Sequence, residues 1–261
     1  MQKTDFCYNG EKPQRRLHML QINNTPHYAG VTVAGDYQDL DELYEALHLI
    51  VGEEGELPAY DSVRIRVLGV CYDIRHAMMG GRGATAVPNG FDKERARYMP
   101  IIGPDTNIYL TFEVMWPELL FVSFSLNDFI ELYEKRSNTH PWDPTIIAVR
   151  KFQGAVARCL QETLSESKYG HLKKYIRPYM NYTYGLYHNY ATQYVDHLNI
   201  KFLKMKPERR LANISIMAKR LGELDHLYIN ARAGIMDAAR DLNVPESEIR
   251  FNEEYPEDFE W

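Results

Sequence analysis

The run NIYLTFEVMWPELLFVSFSL, residues 107–126, constrains the fold more than any other stretch of this chain. In its first half Ile108, Leu110, Phe112, Val114 and Trp116 recur at every second position, the period of a strand with one buried face. Leu120, Val122, Phe124 and Leu126 repeat that period in the second half. Pro117-Glu118 can turn the chain between them, so the run reads as an antiparallel hairpin.

Other segments add to this sheet. Leu20, Ile22, Val31 and Val33 alternate with polar residues on either side of the turn-rich NNTPHYA, a second hairpin. ATAV, at 84–87, reads as a short strand inside a glycine- and proline-containing stretch. DLDELYEALHLIV reads as a helix, with Asp39 and Glu42 as its capping box. GEEGELP stops it. A second helix covers about Ser62 to Met79, with Val63, Val67, Val70, Ile74 and Met78 as its apolar stripe. NDFIELYEKR reads as a short helix capped by Asn127 or Asp128.

From residue 141 the pattern is helical. Asp143-Pro144 is an N-cap followed by proline at the first helical position, and that helix is expected to run toward Ser167. Further helices are expected near 187–204, 207–222 and 225–242, with another turn at Pro245-Glu246. The fold class is α+β: an antiparallel sheet of four or five strands with helices in the N-terminal half, and a mostly helical C-terminal half. The chain divides into an extension (1–18), an α+β region (19–140), a helical region (141–244) that can form one compact unit with it, and an acidic-aromatic tail (245–261).

No apolar run reaches the ~18–20 residues needed to span a bilayer, and the first eighteen residues lack the apolar core of a signal peptide. Cys7, Cys71 and Cys159 are too few and scattered for a disulfide framework. A cytoplasmic protein with no membrane association is expected. Residues 1–18 are polar and unpatterned. Arg15-Arg16 can be encoded AGG-AGG shortly before Met19, so this segment is read as a translated ribosome-binding region with Met19 as the start.

The net charge of −6 conceals a partition: residues 19–140 carry −9, residues 141–220 carry +9, and residues 221–261 carry −8. The basic block is densest in KFLKMKPERRLANISIMAKR, where Lys201, Lys204, Lys206, Arg209 and Arg210 are the candidate contacts to a partner. Tyrosines interleave with basic residues upstream, as in a groove for single-stranded nucleic acid. The alternative is a basic helix face that docks on the acidic half or on a protein partner. The tail RFNEEYPEDFEW can dock on the basic block in cis or present its aromatics to another protein.

Familiar catalytic signatures do not occur: the sequence has no GxxxxGK[ST], HExxH, GxSxG or paired CxxC. No two of the nine histidines lie three or four residues apart on a helix, so neither metal nor cofactor is expected. One stretch, GVCYDIRHAMMGGRG, mixes chemistry with structure. On a helix Cys71 turns toward the core as a small hydrophobe, and GGRG reads as a C-cap with Gly80 or Gly81 left-handed. The opposite face carries Arg66, Gly69, Asp73 and His76. Asp73 and His76, three apart, can form an acid–base pair, with Arg66 and Gly69 holding an anionic substrate. The alternative is a polar face stapled by ion pairs to a neighbouring loop. Gly69 costs its helix about 1 kcal/mol against alanine, which a close backbone or a ligand would explain.

INNTPHYAGVTVAGDYQDLDELYEALHLIVGEE, VRIRVLGVCYDIRHAMMG and IYLTFEVMWPELLFVSFSLNDFIELY together resemble a bacterial family of unknown function, from Met19 to the EYPEDFEW end. The resemblance implies a cytoplasmic protein beginning near Met19, and brings no activity, cofactor or catalytic residue. Charge partition and missing catalytic motifs favour a non-enzymatic binding or accessory protein that acts on a protein partner or a second copy. Nucleic-acid binding and an Asp73–His76 enzyme are the alternatives.

Overall fold

In the computed structural model of the chain, residues 20–91, 94, 97–98, 103–176 and 185–261 are described. The extension 1–18, Met19 and the middle of the tyrosine-rich basic stretch lie outside the described residues. The strands β1 (Gln21–Asn24), β2 (Gly30–Gly35), β3 (Gly83–Pro88) and β4 (Thr106–Met115) form one antiparallel sheet in the order β1-β2-β4-β3. Eight α-helices are described: α1 (Tyr37–Val51), α2 (Asp61–Met78), α3 (Trp116–Ser137), α4 (Pro144–Thr163), α5 (Glu166–Ile176), α6 (Gln193–Leu203), α7 (Pro207–Gly222) and α8 (His226–Leu242). The chain is α+β, with its strands in the N-terminal half.

Sheet register follows from burial. Val31 lies opposite Val114 and Val33 opposite Phe112, all four buried, so slipping either strand by one residue would turn this row to the wrong face. The alternation of β4 does not carry through to Ile108, which is exposed, while Tyr109 is buried. The cause lies in the pairing. From Thr106 to Tyr109, β4 pairs only with the edge strand β3, beyond the reach of β2.

The second half of the opening run is helix, not strand. Pro117 lies in the first turn of α3, after an extended Met115. From Leu119 to Ile130 every residue is buried, so the helix is surrounded by protein on all sides. Such a run satisfies a period of two and a period of 3.6 equally, with Ser123 and Ser125 as its only polar members before Asn127. The proline decides between them. α3 packs against α1, α2, α4, α6 and α7, and one apolar cluster extends from Leu20 to Ile235. Asn127 and Asp128 are therefore buried in mid-helix and cap nothing.

Side-chain caps set three of the helix starts. Asp36, not Asp39, caps α1: its carboxylate accepts the Asp39 amide at 2.9 Å. Asp143 and Asp225 cap α4 and α8 in the same way. Gly80 ends α2 at φ 78°, with the Gly81 amide donating to the His76 carbonyl at 2.8 Å, a C-cap that requires the left-handed region. α4 stops at Thr163, and α5 follows as a separate helix that the apolar pattern did not announce.

One glycine is fixed by close approach. A Cβ on Gly30 would overlap the Val114 carbonyl, with its carbon at 2.7 Å and the Met115 Cα at 2.9 Å. Backbone at the centre of a sheet cannot step aside. Gly30→Ala is expected to cost about 1–3 kcal/mol in urea unfolding, while an alanine at Gly69, where nothing lies within 4 Å, should cost nothing. Equal losses at the two positions would show that β2 and β4 are not packed this closely.

Candidate functional site

Arg66 stands at the meeting point of three chain segments. Its guanidinium donates to Glu118 Oε2 at the start of α3 (3.2 Å), to the Thr192 carbonyl (3.1 Å) and to Asp196 Oδ2 on α6. Asn199 Nδ2, one turn beyond Asp196, donates to the same Glu118 oxygen at 2.9 Å. The Tyr255 hydroxyl donates to Asp196 Oδ1 at 3.0 Å. Two carboxylates thus share one guanidinium in a partly buried setting, where the Glu118 side chain retains 14% of its exposure.

Electrostatics follow this geometry. Burial opposes the Arg66 charge, but Glu118 and Asp196 outweigh it and hold the group above its ordinary pKa. Burial pushes the Glu118 carboxyl up, against Arg66 and Asn199, which favour its ionised form. The Tyr255 hydroxyl is raised by burial and then by the neighbouring Asp196 charge.

The network forms the wall of a cleft of about 440 Å³, within the range of small-ligand sites. α2 contributes Arg66, Gly69 and Asp73; α3 gives Glu118, α6 gives Asp196, and the C-terminal segment closes it with Arg250 and Tyr255. No atom comes within 4 Å of a Cβ built on Gly69. A close backbone therefore does not account for this glycine, and its missing side chain leaves the cleft open.

The expected acid–base pair is not assembled. Asp73 accepts a hydrogen bond from Arg82 at 2.6 Å, and the His76 ring packs on Tyr72 with centroids 4.2 Å apart. Arg66 and Gly69 meet Asp73 at the cleft, while His76 is not among its lining residues. Cys71 is buried, with its thiol pushed up to about 12 by burial, and Cys159 to about 11, so neither is an activated nucleophile. Cys7 lies outside the described residues. Among the described residues no group of His, Cys, Asp and Glu is placed to hold a metal ion.

The basic block splits. Lys201, Lys204, Lys206 and Arg209 are exposed and make no ion pair among the described residues. Arg210 is 4% exposed, and its guanidinium donates to the carbonyls of Leu203 (2.9 Å), His27 (3.2 Å) and Glu260 (2.8 Å). It is therefore a staple for the tail and not a contact for phosphate. Tyr175, Tyr187 and Tyr190, which read as stacking aromatics, are buried in the core, and Tyr179, Tyr182 and Tyr184 of the same stretch lie outside the described residues. The tail itself lies along this region: the Trp261 carbonyl accepts the His27 amide at 2.8 Å, and Glu253 meets His197 Nδ1 at 3.0 Å.

Glu118, Asp196, Asn199 and Tyr255 were not read from the sequence as partners of Arg66. Glu118 carries a readable signal, since Trp-Pro-Glu places proline and an acid in a helix's first turn. Asp196 and Tyr255 carry none, because only the tertiary fold brings them to Arg66.

No helix of the described residues is long and apolar enough to cross a membrane. No curated protein and no solved structure gives a significant match to this chain. One family model does match, and it spans residues 20–261, from the strand that opens the sheet to the last residue of the docked tail. The chain therefore belongs to the family described as a domain of unknown function, DUF6904.

Proposed function

We propose that this chain is a non-catalytic binding protein of the bacterial cytoplasm whose ligand site is the cleft at Arg66, Gly69 and Glu118. The observation that carries this reading is the convergence of Arg66, Glu118, Asp196 and Tyr255, from distant parts of the chain, around an open cleft. Of the groups expected to perform catalysis, the carboxylate of the acid–base pair, Asp73, is engaged by Arg82, and Arg66, expected to hold an anionic substrate, is engaged by two carboxylates. Binding needs only the pocket and its polar groups.

Gly69→Leu tests this reading. The side chain would project into the cleft, and removing a mid-helix glycine should stabilise α2 by about 0.5–1 kcal/mol. In a thermal-shift screen of polar metabolites, compounds should raise the melting temperature of the wild type and lose that effect in Gly69→Leu. A screen whose positives shift both proteins equally would remove the cleft as the site.

A second reading rests on Lys201, Lys204, Lys206 and Arg209, which present four exposed cations with no ion pair among the described residues at the junction of α6 and α7. They suit an acidic protein surface or a second copy of the chain. Nucleic acid fits less well, because Tyr175, Tyr187 and Tyr190, which would stack on bases, are in the core. Charge reversal at Lys201, Lys204 and Lys206 should abolish salt-sensitive association if this surface is used.

A further inference from the structure

We infer that the cleft takes a primary ammonium group on a short aliphatic stem, recognised by Glu118 and Asp196; this rests on the cleft being the ligand site. In its wall two carboxylates share the single Arg66 guanidinium, which leaves one negative charge of this cluster without a cation in a partly buried setting. Glu118 receives both of its hydrogen bonds, from Arg66 and from Asn199, at Oε2. Its Oε1 has no hydrogen-bond partner among the described residues, although Glu118 lines the cleft.

Two further acceptor oxygens of the lining residues are unused. Asp73 accepts its bond from Arg82 through Oδ1, which leaves Oδ2. Gln193 spends Nε2 on the carbonyls of Glu246 and Ile249, which leaves its Oε1. Of the two guanidinium groups in the lining, Arg66 serves three oxygens, and Arg250 gives its Nη1 to the carbonyls of Ser247 and Ile249 in its own segment. A ligand that brings donors and positive charge completes the site, whereas an anion would meet Glu118 and Asp196 directly.

Shape sets the rest of the ligand. Ile65, Val70, Val114 and Met115 form the apolar part of the lining, which suits methylene groups. Gly69 leaves room beside them. The cleft volume limits the ligand to a small molecule and excludes a folded partner.

Calorimetry with 1,4-diaminobutane and agmatine, against succinate and inorganic phosphate as anionic probes, separates the outcomes. The amines should bind saturably to the wild type, with at least tenfold loss in Glu118→Gln and in Gly69→Leu. Glu118→Gln keeps the size of the side chain and an acceptor for Arg66 and Asn199. Circular dichroism checks that it folds, and Asp196→Asn serves as the second variant. If an anion binds and Gly69→Leu blocks it while the amines do not bind, the cleft stands and its preference for amines is overturned. If no probe of either class binds in a manner sensitive to Gly69→Leu, both the preference and the site fall.

Discussion

Replacing Arg66 with methionine is expected to cost about 3 kcal/mol at pH 7.5, because the change leaves two carboxylates facing each other without their shared cation. The side chains are only partly buried, which places the loss at the lower end of the range for breaking a buried ion pair. Three consequences follow from the geometry. Glu118, already raised by burial, loses a group that favours its charge, so the penalty should shrink as pH falls and the carboxyl protonates. Removing Glu118 as well, in Arg66→Met/Glu118→Leu, should cost less than the two single changes added together. Tyr255 holds the C-terminal segment through Asp196, so amides of residues 250–261 should exchange faster in Arg66→Met. Urea titrations at pH 5 and 7.5 with all three variants would measure this. Strict additivity and a penalty independent of pH would mean that the three groups do not act as one unit.

The fold was legible wherever one local signal had a single interpretation. Asp143-Pro144 has one, and α4 begins there. Pro207 and Gly222 bound α7 where the sequence placed it. LLFVSFSL had two, because a run buried on every side shows no period, and only Pro117 separated helix from hairpin. α5 failed for the opposite reason: with Leu172 and Tyr175 as its only buried residues, it has too little apolar pattern to read. At the site, helical geometry put Arg66, Gly69 and Asp73 on one polar face of α2, and the structure opens a cleft there. Their partners were invisible for a chain-length reason. Glu118 lies 52 residues from Arg66 and Asp196 130 residues away, so no local spacing links them. Charge patterning was similarly blind to individual fates. It grouped Arg210 with Arg209, although one is buried as a staple and the other is exposed.

Asp128→Asn should remove a distinct pH dependence from the stability of this protein. Asp128 lies in mid-α3 at 3% exposure, and its Oδ2 accepts the Tyr187 amide at 3.2 Å and the Tyr60 hydroxyl at 3.4 Å. Burial nevertheless pushes its carboxyl from 3.8 up to about 6, against those bonds and a further one from the Gly185 backbone. The sign follows from proton counting. Between about pH 4 and pH 6 the folded chain keeps a proton on Asp128 that the unfolded chain releases, so stability falls as pH rises through that window. The full effect is on the order of 2–3 kcal/mol, with the group favouring the fold most below pH 4 and least above pH 6. Asparagine keeps an oxygen acceptor for Tyr187 and Tyr60 but cannot ionise. The NH2 that replaces the second carboxyl oxygen adds a constant cost at every pH. The stability of Asp128→Asn relative to wild type should therefore climb between pH 4 and pH 7 by about 2–3 kcal/mol, whatever its starting value. Other carboxyls shifted by burial, Glu118 among them, titrate in both proteins and cancel in this difference. Urea midpoints collected at four pH values would show two curves whose separation changes in favour of Asp128→Asn as pH rises. Parallel curves would mean that Asp128 is solvated in the folded chain, and that α3 does not pack against the Gly185–Tyr187 segment as tightly as the hydrogen bonds require.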